Sequence, residues 1–171
     1  PREQLPGDRG RDDDLDLDVG EFAHLAGPLA LTAAALDGEH GVALRADLGH
    51  KLGADSAPVE IVEFADFSCS HCARFAILEL PYVRERLIAT GRLKWRFMDF
   101  PLRGNVNSPA AHLAAGCASE QGRFFEMMDA IFNRQNEWAA DRRADRKLRD
   151  YARQVGLDLG RFDTCVETKH A

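Results

Sequence analysis

Two cysteines separated by two residues, Cys69-Ser70-His71-Cys72, stand directly after a β-rich apolar run and directly before a helical one, and that order constrains the chain more than any other feature. The run from Pro58 through Val59, Ile61, Val62 and Phe64 to Phe67 is apolar on both parities, which predicts a central strand covered on both faces. From there Cys72, Ala76, Leu80, Val83 and Leu87 recur in steps of four, four, three and four residues, a single helical stripe. Pro81 falls inside that helix and predicts a kink, and Gly91 ends it. Leu93 to Phe100 alternates as a second strand, closed by Pro101. A strand-helix-strand unit of this length predicts a right-handed crossover and parallel pairing.

Downstream the pattern is helical. Ser108 predicts a cap with Pro109 at the first helical position, followed by an Ala-rich helix running to Gly122. Phe124, Met128 and Ile131 mark a second helix. Leu148, Tyr151, Ala152 and Val155 mark a third beginning near Asp141, and Phe162, Cys165 and Val166 a fourth after Asp158. The other end differs in character: residues 1–20 are nearly all charge, Gly and Pro and read as a solvated acidic tail, followed by weak signals for a helix over Glu21 to Leu36 and a strand over Gly41 to His50. The domain plan is therefore an extension over 1–47 and a folded domain over 48–171, with strand, CxxC, helix and strand in 48–104 and helices in 105–171.

With 171 residues, 45% of them hydrophobic, the chain can bury a core without a dense disulfide framework. Its net charge of −6 gives no electrostatic footprint for nucleic acid. The longest weakly polar run, Ala26 to Leu36, is too short to cross a bilayer. Because the sequence begins at Pro1, a signal or membrane anchor preceding it is compatible with this reading.

The chemistry concentrates at the CxxC. A cysteine at the start of a helix sits beside unpaired backbone N–H groups and the positive end of the helix dipole, which favour thiolate over thiol, so Cys69 is read as the nucleophile. Cys72 follows on the same face, close enough to displace a partner from a mixed disulfide, and is read as the resolving thiol. His71 stabilises the thiolate further by charge or hydrogen bonding, which favours an oxidant over a reductant. Two competing readings are weaker. Cys69, His71 and Cys72 are zinc-ligand types, but no fourth ligand or second paired cluster stands at suitable spacing. A purely structural Cys69–Cys72 bridge closes too short a loop to stabilise a fold much.

The run Ala57-Pro58-Val59-Glu60-Ile61-Val62-Glu63-Phe64-Ala65-Asp66-Phe67-Ser68-Cys69-Ser70-His71-Cys72 resembles the opening of the DsbA-like branch of thioredoxin-fold disulfide oxidoreductases. The likeness continues through Phe100-Pro101-Leu102, Ala110 to Ala118, Gln121-Gly122-Arg123-Phe124-Phe125-Glu126 and Leu157-Asp158-Leu159, and covers residues 48 to 168. It implies an α/β thioredoxin-like fold with an inserted helical subdomain. It further implies that Glu63, six residues before Cys69, is a buried acid that helps deprotonate the resolving thiol. A second, structural cystine between Cys117 and Cys165 is likewise implied by resemblance, against the alternative of two buried free thiols. No cofactor beyond the redox-active Cys69–Cys72 disulfide is implied, and no metal.

The chain departs from the family in one respect. After the inserted helices the family continues with a loop whose cis proline faces the CxxC, then a hairpin and a last helix. No such proline or hairpin follows Pro109 here, so the C-terminal half of the sheet is missing from the sequence and the chain is expected to be part of a longer protein. Two functions follow. The first is an extracytoplasmic, periplasmic thiol-disulfide oxidoreductase that exchanges its Cys69–Cys72 disulfide with protein thiols and is recharged by a membrane redox partner. The second is a thioredoxin-like structural or accessory subunit, docked through its open sheet edge or N-terminal extension onto a larger, membrane-associated assembly. A reductive or isomerising relative ranks third, because residues 1–56 carry no heptads for a dimerisation region.

Overall fold

The structure, a computed structural model, describes residues 48–170. The readings made for the acidic tail, for the helix over 21–36 and for most of the strand over 41–50 lie outside them. Strand β1 is His50–Leu52, β2 is Val59–Ala65 and β3 is Leu93–Asp99, arranged in the order β1-β3-β2. β3 pairs antiparallel with β1 and parallel with β2, where Ile61 stands opposite Trp95 and Glu63 opposite Phe97. β1 begins beside a residue that only glycine fits. Gly49 has φ +80°, and a Cβ there would lie 2.5 Å from the Phe97 carbonyl oxygen.

The connection from β2 to β3 is helical from Ser70 to Ile88. It comprises α1 (Ser70–Arg74), a π-helical stretch over Phe75–Glu79, α2 (Leu80–Val83) and a second π-helical stretch over Arg84–Ile88. The break expected at Pro81 takes this form: proline, lacking an N–H, stands in the first turn of the renewed α-helix. The wider π turns also suit a stripe whose steps average more than 3.6 residues. Leu80 is fully buried, and Cys72, Ala76, Val83 and Leu87 pack against the core. Gly91, at φ +72°, ends the run.

Five helices follow: α3 (Ser108–Ser119), α4 (Phe124–Asn133), α5 (Gln135–Trp138), α6 (Ala144–Gln154) and α7 (Leu159–His170). They bury Phe124, Met128, Ile131, Leu148, Tyr151, Ala152, Phe162 and Cys165 as their stripes predict. The short α5 carries no periodic signal; it is held by fully buried Trp138, whose indole N–H donates to the Ile131 carbonyl at 2.9 Å. Ser108 does not cap α3. Asn107 occupies the N-cap position and its side-chain amide donates to the carbonyls of Trp138, Ala139 and Asp141, while the Ser108 hydroxyl is drawn to Asp66.

Among the described residues the first long strand is not the central, doubly covered one that its apolar run predicts. β2 lies at the edge of the sheet among the described residues, with Val59 and Ile61 each 45% exposed and Phe64 52% exposed. β3 is the central strand. Leu93, Trp95, Arg96 and Phe97 are all buried, and Arg96 is satisfied by Glu60 and the Leu48 carbonyl. Among the described residues the apolar double face of β2 is only partly covered. The core condenses on aromatic rings, with Phe67 centred 5.3 Å from Phe97 and 4.9 Å from Phe132. The helices are tied to the crossover by the Arg84 guanidinium, bidentate on Asp129 at 2.6 and 3.0 Å.

The sulfurs of Cys117 on α3 and Cys165 on α7 lie 2.12 Å apart, closing a sequence separation of 48 residues. In the loop-entropy model such a closure constrains the unfolded chain by about 4 kcal/mol. Replacing both residues by alanine is expected to lower the unfolding free energy by about 2–4 kcal/mol in urea titrations, and wild-type stability in that variant would show the cross-link to be dispensable.

Candidate active site

The site is built where β2 and β3 end side by side. The ladder closes with the Phe100 amide donating to the Ala65 carbonyl at 3.0 Å, so the segments 66–69 and 100–107 leave the sheet as neighbours. Cys69 occupies the N-cap of α1 with extended backbone angles, and its carbonyl accepts the Ala73 amide at 3.0 Å. Cys69 therefore stands at the opening of the helix, where its side chain makes no capping hydrogen bond. Both Cys69 and Cys72 are free, partly buried thiols. His71 between them is exposed.

Burial shifts both Cys72 and Glu63 upward. Burial pushes the Cys72 thiol up, with further upward contributions from Cys69 and the Glu63 charge; a backbone hydrogen bond from Asp66 pulls the other way, and the result is about 11. Burial alone raises Glu63 to about 7. A carboxyl that titrates near neutrality beside a reluctant thiol is suited to hold and release the proton that thiol must lose. The structure thus brings Cys69, Cys72 and Glu63 together, leaves His71 at the surface, and places Cys117 and Cys165 apart, on the helices.

Other residues shape the site without having announced themselves in the sequence. Gln135, on α5, donates its side-chain amide to the carbonyls of Phe67 at 2.7 Å and Cys69 at 3.0 Å, clamping the turn from outside. Asp66, 1% exposed, accepts hydrogen bonds from the Ser68 and Leu102 amides, Asn105 and Ser108. His112 lies behind it, hydrogen-bonded through Nδ1 to Asp99. Burial raises the Asp99 carboxyl, but hydrogen bonds with His112 and His50 outweigh it and bring Asp99 to about 2. An acid interrupting an apolar run at Ala65-Asp66-Phe67 was the one available signal for this cluster; Gln135 has none. Among the described residues no cluster of His, Cys, Asp and Glu fits a metal ion, and no helix is long and apolar enough to cross a membrane.

Residues 46–171 match the family model described as Thioredoxin, and the chain belongs to that family, in its DsbA-like branch. It superposes on alpha-DsbA1 of Wolbachia pipientis with a TM-score of 0.64 at 27% identity, covering 72% of this chain and 61% of that one. Oxidised BdbD of Bacillus subtilis shares the fold at a TM-score of 0.64 and 23% identity, over 71% and 67% of the two chains. The "Probable disulfide bond formation protein D" of Bacillus anthracis is 35% identical over 97 residues, 53% of this chain and 44% of that protein. The Na(+)/H(+) antiporter NhaA 3 of Salinispora tropica is 38% identical over 117 residues, 68% of this chain but 17% of the antiporter. The chain thus spans less than half the length of these curated relatives.

The raised carboxyl of Glu63 has a thermodynamic signature. Protonation favours the folded state between its ordinary value of 4.5 and about 7, so the cost of ionising it is absent at low pH and fully present above about 7. Glu63→Gln should therefore be more stable than the parent at pH 8, by about 1–2 kcal/mol once partial solvent access is discounted, with the advantage vanishing below the ordinary carboxylate range. Chemical denaturation across pH checks this; a pH-independent difference would place Glu63 in a water-like environment.

Proposed function

We propose that this chain is the redox-active portion of an extracytoplasmic thiol-disulfide oxidoreductase that exchanges a Cys69–Cys72 disulfide with protein thiols. The observation that carries the reading is the placement of Cys69 at a helix opening with Cys72 one turn on, its sulfur under the influence of Glu63. The likeness to alpha-DsbA1 and to a disulfide bond formation protein supports it. In the oxidising direction a substrate thiolate attacks the Cys69 sulfur, the Cys69–Cys72 bond breaks, and Cys72 leaves as thiolate, taking a proton by way of Glu63. The substrate's second thiolate then attacks its own sulfur in the mixed disulfide and releases Cys69, leaving the substrate oxidised and the protein dithiol reduced. His71, exposed beside the nucleophile, acts on the Cys69 thiolate. The Cys117–Cys165 cross-link is structural, and a membrane redox partner restores the active disulfide.

A second reading is favoured by the antiporter likeness and by the open apolar edge of β2: a thioredoxin-like accessory module within a larger, membrane-associated assembly. Exchange with a dithiol peptide separates the two. Cys69→Ser should abolish exchange, Cys72→Ser should form a mixed disulfide through Cys69 when given the disulfide form of the peptide, and the rate advantage of the parent over Glu63→Gln in oxidising the dithiol peptide should fall away through about pH 7 as Glu63 loses the proton it delivers to Cys72. Absence of exchange by the parent would leave the accessory reading.

A further inference from the structure

The backbone of Asp66 touches both members of the redox pair. Its carbonyl accepts the Cys69 amide at 3.0 Å, and against the burial that pushes the Cys72 thiol up, hydrogen bonding from the Asp66 backbone is the one influence that lowers it. Its side chain is held on every side. Oδ1 accepts from the Ser68 amide at 2.6 Å and the Ser108 hydroxyl at 2.8 Å; Oδ2 accepts from the Leu102 amide at 2.6 Å and the Asn105 side chain at 3.2 Å. His112 Nε2, which has no hydrogen-bond partner, faces Oδ1 at 4.0 Å. These donors come from three places: the turn before the CxxC, the segment after β3, and the start of α3. A buried carboxylate is tolerated when its lone pairs are filled in this way, and burial, which raises Asp66, is outweighed by the four donors, which lower it.

We propose that Asp66 is a positioning residue for the redox pair: its carboxylate, locked by Ser68, Leu102, Asn105 and Ser108, fixes the turn so that the Asp66 backbone keeps a hydrogen bond on the Cys72 sulfur and another on the Cys69 amide. The inference rests on the reading of Cys69 and Cys72 as an exchange pair. Cys72 is a thiolate whenever the Cys69–Cys72 bond is made or broken, either as attacking group or as leaving group, so a donor held against it favours both directions. An aspartate is required because both oxygens face backbone N–H groups. An asparagine would turn its NH₂ toward the amide of Ser68 or of Leu102, donor against donor.

The test reads Cys72 without turnover. In a Cys69→Ala background, the rate of iodoacetamide alkylation at pH 8 reports the thiolate fraction of Cys72. Adding Asp66→Asn should slow alkylation about tenfold, the change expected when a thiol's titration moves up by about one pH unit, and Ser108→Ala should slow it about two- to threefold. A role in packing alone predicts the opposite sign, because a loosened turn exposes the sulfur and speeds alkylation. Unchanged or faster alkylation in folded Asp66→Asn overturns the proposal. If that variant does not fold, Ser108→Ala and Asn105→Ala decide by the same criterion. Slowed alkylation together with no peptide exchange by the parent upholds the positioning role and removes the exchange reading, so the two failures are distinct.

Discussion

The parallel pairing of β2 with β3 is the constraint from which the rest of the structure follows. Two strands running in the same direction cannot be joined by a turn; the chain must cross back over the sheet, and here it does so as the helical run that opens at Ser70. The cysteines are therefore fixed to the end of β2 by topology. The register that sets Ala65 opposite Asp99 also brings the two strand ends level, which is why the turn at Asp66 meets Leu102 and Asn105 across a gap of more than thirty residues. A slip of one residue would reverse every side chain of β2 and carry Glu63 away from Cys72.

On that strand end, two carboxylates three residues apart have opposite environments. Glu63 is pushed toward neutrality because burial meets no compensating donor. Asp66 is more deeply buried and yet stays readily ionised, because two backbone amides, an amide side chain and a hydroxyl converge on it. One acid is held toward its neutral form and the other toward its charged form. Burial alone does not distinguish them; the arrangement of donors does.

The sequence made the local elements legible and hid the relations between them. The CxxC, the stripe through Leu80, the glycine that ends the crossover and the main buried positions of α4, α6 and α7 are matters of spacing, and spacing is visible in one dimension. The order of strands is not. Among the described residues Pro58 to Phe67, which reads as a covered strand, forms an edge, while the alternating Leu93 to Phe100 forms the centre of the sheet, because composition records how apolar a strand is and not which neighbour covers it. Ser108 was legible as polar residue at a helix start, but its partner lies 42 residues away. Gln135 and Trp138, on a single helical turn with no period to read, acquire their roles only when α5 is laid against the CxxC turn.

The Gln135 contact also bears on how such a domain is inherited. The helices inserted in this fold do more than enlarge the core: Gln135 and Ser108 reach from them into the segment that carries the cysteines, and Asn107 ties the start of α3 to the C-terminal end of α5, whose first residue is Gln135. Strand and CxxC therefore do not form a cassette separable from the insertion. A chimera that keeps residues 57–72 and borrows its helices from another lineage must bring equivalent donors at the same places, or its active-site turn loses the framework that orients it. Exchange between lineages is expected to respect this boundary and to move the sheet end and the helices together.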